Sequence, residues 1–280
     1  MLEPMTRTYS AAMAACSPIV RGWSRLAVVG LEHLPDHGPV LLAVNHDSYW
    51  DPVAVGVAAL PRRQIRALAK ASMWRIKGLN RILDGMGQIP IERGTTDAAA
   101  LERAIAELRS GACLGIFPEG TRSLGRDLRA RSGLGRLAEA VPEARILCCS
   151  VAGTTDIARF PKRPHVRVRF FPPAGGGLMS NESAGDLTAR LMAEIRADAP
   201  IAAAGRRPAG GWRNDVTTRG EFSVRTKAGA PMTGSNAVGL VLCDRVDDSE
   251  PDASSWAKAG ASAKDRPASG EEEEPGEIAA

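Results

Sequence analysis

The stretch GPVLLAVNHDSYWDP, residues 38–52, sets a short unbroken apolar run between a Gly-Pro turn and a polar knot. Such a run, bounded by turn signals, predicts a buried strand. His46 stands at the exit of that strand, with Asp51 five residues on and Pro52 placed for the first turn of a helix through PVAVGVAALP. An imidazole in that position can be a general base, a metal ligand or a satisfied structural histidine. A carboxylate nearby fixes its tautomer and stabilises the imidazolium formed on proton abstraction. The H-x-x-x-x-D spacing carries little weight by itself, and Asp47 inside it reads as a turn or cap residue.

Working outward, the same alternation repeats. QIRALAK, residues 64–70, predicts a second strand ending at Lys70, and SMWRIKGLNRILDGM has helical spacing. GQIPIERG predicts a short strand closing on Arg93. TTDAAALERAIAELRSG predicts a helix with Thr96 as N-cap, a buried stripe of Leu101, Ile105 and Leu108, and Gly111 as its stop. ACLGIFPEGTRS is a buried strand running into a polar loop, and RILCCSVAG is another buried strand. HVRVRFFPP alternates, with Val166, Val168 and Phe170 on one face and Arg167 and Arg169 on the other. NESAGDLTARLMAEIRADA predicts a last helix. Strands alternating with helices give an α/β domain over residues 30–205, built on a mixed, largely parallel sheet flanked by helices.

The two ends differ from this body. Residues 10–29 read as helical, broken near Pro18, with Ile19, Trp23 and Leu26 on one face and Arg21 and Arg25 off it. An apolar face carrying Trp and flanked by arginines suits a membrane surface, so residues 1–29 are expected to be an amphipathic interfacial segment with Trp23, Arg21 and Arg25 in contact with lipid. Residues 206–280 are low in complexity and end in SGEEEEPGEIAA. A disordered tail is expected there, although AVGLVLC within it could order locally or dock. That tail holds 10 basic and 13 acidic residues, which leaves residues 1–205 with 26 and 19, a net of +7. A basic body points to an anionic partner. Nucleic acid is disfavoured, because lysines and arginines are not clustered with interleaved aromatics.

The five cysteines are odd in number and form no C-x-x-C pair, which fits buried thiols in a reducing compartment. No apolar run reaches about 18 residues, so no membrane-spanning helix is expected, and the N-terminus does not look like a secretory signal. His33 and His37 flank a Pro-Asp turn and His165 begins a strand. Further ligands at metal-site spacing are not evident, and G-x-S-x-G is absent.

FPEGTRS, residues 117–123, is more informative. Gly120 permits a tight turn and close backbone approach to a ligand, Arg122 offers a fork for phosphate or carboxylate, and Glu119 can hold that arginine or order the loop. His46, Lys70, Arg93 and Arg122 all fall at predicted strand exits, and ligands in open α/β sheets sit beyond the carboxyl ends of the strands. If the strands are parallel, a base stands beside a phosphate site.

With those residues in view, the chain resembles the glycerophospholipid acyltransferase family, of the 1-acylglycerol-3-phosphate acyltransferase type. NHDSYWD matches its N-H-x-x-x-x-D block, GQIPIERG its block with an arginine after a short strand, and FPEGTRS its block of the same letters. The fourth block is met loosely by ILCCSVAG, where Cys149 and Ser150 stand in place of an expected proline. The resemblance spans residues 30–175. It implies transfer of a fatty acyl group from a thioester, acyl-CoA or acyl carrier protein, to a glycerol hydroxyl, without metal or cofactor. His46 is implied as the base and Asp51 as the residue that orients it. Arg93 and Arg122, with Lys70, are implied to bind the acceptor phosphate, and Glu119 and Gly120 to shape the acceptor loop. A lysophospholipid acceptor further implies a protein on an anionic membrane surface at the cytoplasmic face. Another acceptor, such as glycerol 3-phosphate or a different lysolipid, and a non-catalytic lipid-binding protein on the same scaffold are the alternatives.

Overall fold

The structure is a computed structural model that describes residues 5–92, 97–159, 161 and 163–202. Arg93, Thr96 and the tail 206–280 with its AVGLVLC segment lie outside the described residues. The helices are α1 Arg7–Ser17, α2 Asp51–Ala59, α3 Leu79–Gly85, α4 Ala98–Arg109, α5 Gly133–Ala140 and α6 Ala184–Asp198. The strands are β1 Ala27–Val29, β2 Val40–Val44, β3 Ile65–Lys70, β4 Ile89–Ile91, β5 Cys113–Ile116, β6 Arg145–Ala152 and β7 Arg167–Phe171.

The strands form one sheet in the order β1-β7-β6-β2-β5-β3-β4. β2 lies in the middle and pairs in parallel with β5 and β6, while β3 continues in parallel from β5 to β4. β7 runs antiparallel to β6, and β1 runs parallel to β7. Five parallel strands therefore send their carboxyl ends to a single rim, and the expected mixed, largely parallel sheet with flanking helices is what forms. All five residues of β2 are buried. Val40, Leu42 and Val44 face α1 and α2, and Leu41 and Ala43 face α4, α5 and α6. Cover on both faces is why this strand is continuously apolar instead of alternating.

Several expectations are corrected. Helix α1 ends at Ser17, Pro18–Trp23 winds as a π-helical turn, and Ala27–Val29 is an edge strand, so the helical reading of 10–29 fails at its end. The Ala27 N–H donates to the Val166 carbonyl at 2.8 Å, a ladder bond that a helix could not make. The wider turn also shifts the phase of the face. Val20 is buried, whereas Ile19 is 41% exposed. Tyr9 and Met13 of α1 sit in the core against α2, so this segment packs as part of the domain.

Helix α4 is capped by Asp97, whose side chain accepts from the Ala100 N–H at 3.0 Å. Its buried stripe is Ala100, Ala104 and Leu108, with Leu101 and Ile105 only partly covered. The helix sits down on its alanines, which let it approach its neighbours closely. The helical reading of 72–86 splits into a short 3-10 turn, Ala71–Arg75, and α3. In β7 the expected alternation holds, with Val166, Val168 and Phe170 buried and Arg167 and Arg169 paired to Asp198 at 2.6 and 2.7 Å. Cys113, Cys148 and Cys149 are buried thiols, and burial pushes Cys148 up to about 12.

Candidate active site

The rim above β2 is built by the residues that follow it. Asn45 clamps the β6 backbone: its amide donates to the Val151 carbonyl and accepts from the Val151 N–H, each at 2.8 Å. That fixes the exit of β2 and delivers His46 to the rim with 7% exposure. The chain then turns so that Asp51, at the start of α2, reaches back. Its Oδ2 accepts from His46 Nδ1 at 3.0 Å and from the backbone N–H groups of Asp47 and Ser48 at 2.6 and 2.7 Å. Its Oδ1 accepts from the Thr154 hydroxyl at the exit of β6. The five-residue spacing thus closes a turn that is capped by the same carboxylate that holds the imidazole.

Asp51 is fully buried and receives four hydrogen bonds, so both of its oxygens are satisfied within the protein. A carboxylate at Nδ1 selects the tautomer with its proton there and leaves the Nε2 lone pair free to accept another. The Phe117 ring packs 4.6 Å from the imidazole centroid and closes one side.

The FPEGTRS loop leaves β5 and grips His46 from both ends of its backbone. The His46 N–H donates to Glu119 Oε2 at 2.8 Å, and the His46 carbonyl accepts from the Ser123 N–H at 2.8 Å. Gly120 takes φ +67 in the turn between them, as expected for a residue free of a side chain. Glu119 is the buried end of a pair. Arg196, from the last turn of α6, donates to Glu119 Oε1 through Nε at 2.9 Å, and again through Nη2. The same guanidinium straddles Asp47, with Nη1 to Oδ2 and Nη2 to Oδ1, both at 2.9 Å. Asp47 Oδ1 also takes the Ser123 hydroxyl. Burial pushes the Glu119 carboxyl above the usual carboxylate range, against the opposing pull of Arg196. Burial works against the Arg196 charge, but the hydrogen bonds to Asp47 and Glu119 outweigh it and hold the guanidinium above its ordinary value.

The remaining expected residues are distributed around this centre. The Arg122 guanidinium lies 3.6 Å over the Tyr49 ring and donates to its hydroxyl at 2.9 Å. Tyr49 itself is 74% exposed, so Arg122 is held at the mouth of the site by a side chain in solvent. Lys70 is exposed at the rim end of β3. Arg21 donates to the Val57 carbonyl of α2 at 2.8 Å, and the Trp23 indole donates to the Ile157 carbonyl at 3.1 Å. Arg25 contacts His165 Nε2 at 3.0 Å. Trp23 and Arg21 are therefore turned partly onto the domain.

A cleft of about 270 Å³ opens on the far side of Phe117. Leu68, Ile91, Leu101, Ile116, Leu134 and Leu137 give it an apolar floor, and Gly120 and Arg131 border it. Three contributors went unread in the sequence. Thr154 sits beside a quoted strand but has no spacing signal, Arg196 lies 149 residues from Asp47, and Asp47 is an ion-pair partner beyond any cap role.

Residues 25–154 match the family model described as Acyltransferase. The chain is 38% identical over 108 residues to the 1-acyl-sn-glycerol-3-phosphate acyltransferase of Borreliella burgdorferi, covering 38% of this chain and 42% of that one. It is 28% identical over 149 residues to the Bacillus subtilis protein of the same name, covering 53% and 64%. The chain thus spans less than two thirds of the length of each of these relatives. In fold it is similar to the 1-acyl-sn-glycerophosphate (LPA) acyltransferase PlsC of Thermotoga maritima, with a TM-score of 0.51 at 18% identity over 69% of this chain and 82% of that one. The resemblance carried by the three sequence blocks is borne out by the family match and the curated relatives.

Proposed function

With residues 25–154 matching the acyltransferase family, we propose that the protein transfers a fatty acyl group from an acyl thioester to the free hydroxyl of 1-acylglycerol 3-phosphate, giving phosphatidic acid. The observation that carries this reading is His46: its Nδ1 is held by the buried Asp51 at 3.0 Å, which frees Nε2 to act at a rim where Arg122 also stands. In the reaction His46 Nε2 takes the hydroxyl proton as the oxygen attacks the thioester carbonyl and the new C–O bond forms. Asp51 stabilises the resulting imidazolium. The tetrahedral intermediate collapses, the C–S bond breaks, and the leaving thiolate takes the proton back from His46. These steps call for no metal, no cofactor and no acyl-enzyme.

Arg122, joined by Lys70 and Arg93, binds the acceptor phosphate, and that grip brings the hydroxyl to His46. The cleft beyond Phe117 offers an apolar channel for an acyl chain. Acceptor and product are lipids, so the rim works at an anionic membrane surface on the cytoplasmic face, favoured by the +7 body. Among the described residues no helix is long and apolar enough to cross a membrane, which fits peripheral attachment.

The test is an acyl-transfer assay with purified protein, acyl-CoA and acyl carrier protein donors, and a panel of acceptors that includes lysophosphatidic acid, glycerol 3-phosphate and other lysolipids. Lysophosphatidic acid is expected to be the best acceptor. Faster transfer to another acceptor replaces the acceptor assignment, and transfer to none leaves a lipid-binding protein on this scaffold.

A further inference from the structure

Two buried carboxylates meet beneath His46, and one guanidinium serves both. Asp47 and Glu119 are 6% and 4% exposed, and their carboxylates take the Ser123 hydroxyl and the His46 backbone N–H in place of the imidazole. Each is nonetheless tied to the His46–Asp51 pair. Glu119 Oε2 holds the His46 N–H at 2.8 Å, and the Asp47 N–H is held by Asp51 Oδ2 at 2.6 Å. Arg196 closes the arrangement by donating to Glu119 Oε1 and to both oxygens of Asp47. A planar fork with fixed donor directions sets the distance between two carboxylates in a way a single ammonium cannot. Two carboxylates this deep also repel each other unless a cation stands between them.

We infer that Arg196 is a positioning residue of this active site, acting through Glu119 and Asp47 to hold the His46 backbone where its imidazole can work. The inference rests on the acyl-transfer reading, and it adds an element that lies past the family match, which ends at residue 154. Helix α6 is suited to the task because Leu187, Leu191 and Ile195 anchor it in the core, so its last turn presents Arg196 from a rigid base. Arg196 spends its donors on Asp47, Glu119 and the Ala199 carbonyl, all protein groups. Its loss is therefore expected to slow turnover and to leave acceptor binding alone.

The test uses the full chain with Arg196→Gln, Arg196→Lys, Glu119→Gln and the Arg196→Gln/Glu119→Gln double variant. Acyl transfer is measured with a long-chain acyl-CoA and lysophosphatidic acid, and hydrogen exchange is followed on peptides covering 44–51 and 117–123. Misplacement of a reacting group by an ångström costs about 100-fold, so Arg196→Gln is expected to lower kcat about 10- to 100-fold with KM changed less than about twofold. Arg196→Lys recovers part of that loss, and the double variant loses less than the product of the single effects. The two rim peptides exchange faster while the β5 and β6 peptides stay protected. A kcat within about twofold of wild type overturns the inference, as does a raised KM at unchanged kcat. General loss of protection in both Arg196 variants makes Arg196 a strut of the fold and overturns it too. A wild type that transfers no acyl group defeats the acyltransferase reading, and the exchange measurement still decides whether Arg196 fixes the His46 segment.

Discussion

Two histidine–aspartate pairs stand among the described residues, and they differ in everything except chemistry. His37 Nδ1 meets Asp36 Oδ1 on a surface turn, with side chains 75% and 41% exposed. His46 Nδ1 meets Asp51 Oδ2 at the rim of the sheet, with side chains 9% and 0% exposed. The exposed carboxylate is held below its usual range chiefly by the hydrogen bond from His37, in a place where water could serve equally well. The buried carboxylate takes three further donors, from the Asp47 and Ser48 backbone and from Thr154, and the backbone of its histidine is gripped at both ends. The rim pair has its geometry fixed by several bonds beyond its own, and the surface pair does not.

Three substitutions press on this contrast. His46→Ala removes the proposed base and is expected to lower kcat by about 10²- to 10⁴-fold with the fold intact, seen as lost turnover beside an unchanged circular dichroism spectrum. Retained activity would place the chemistry elsewhere. Thr154→Val leaves a buried carboxylate oxygen one donor short and is expected to cost about 1–3 kcal/mol in denaturant unfolding, together with a several-fold loss of kcat. A neutral result would show that Asp51 does not need its fourth donor. Asp36→Asn is expected to leave kcat unchanged. Because the Asp36 carboxyl is depressed in the folded protein, its contribution to stability is present above the ordinary carboxylate range and is lost as pH falls through the lowered value. The small difference in Tm between wild type and Asp36→Asn should therefore be seen at pH 7, persist to the ordinary carboxylate range and vanish only below the lowered Asp36 value.

What the sequence made readable follows from the length scale of each signal. β2 and β5 are unbroken apolar runs, and β6 is nearly one with Ser150 inside it, because both sheet faces are covered, and the turn residues around them mark their ends. The pairing of His46 with Asp51 was legible because one short turn holds both. Helix α5, GLGRLAEA, was not, since its two glycines argue against a helix. Gly135 is there because a Cβ on it would lie 2.0 Å from the Ala184 carbonyl of α6, a requirement visible only once the two helices are packed. β1 has three residues and exists through pairing with β7. Leu101 and Ile105 satisfied a helical period, but packing favoured the smaller Ala100 and Ala104. Arg196 had no local pattern at all, because its two carboxylate partners stand 149 and 77 residues away.

The grip on His46 has a consequence for the order in which the site can come into being. The imidazole and Asp51 are five residues apart and can meet as soon as their turn closes. Glu119, Thr154 and Arg196 join from separations of 73, 103 and 149 residues along the chain. Contacts of that span are slow to form, because the loops they close must first lose their freedom. During synthesis the histidine and its aspartate leave the ribosome well before the residues that frame them. The nascent protein thus holds its histidine–aspartate pair long before it holds the residues that frame it, and the frame is closed only when α6 arrives.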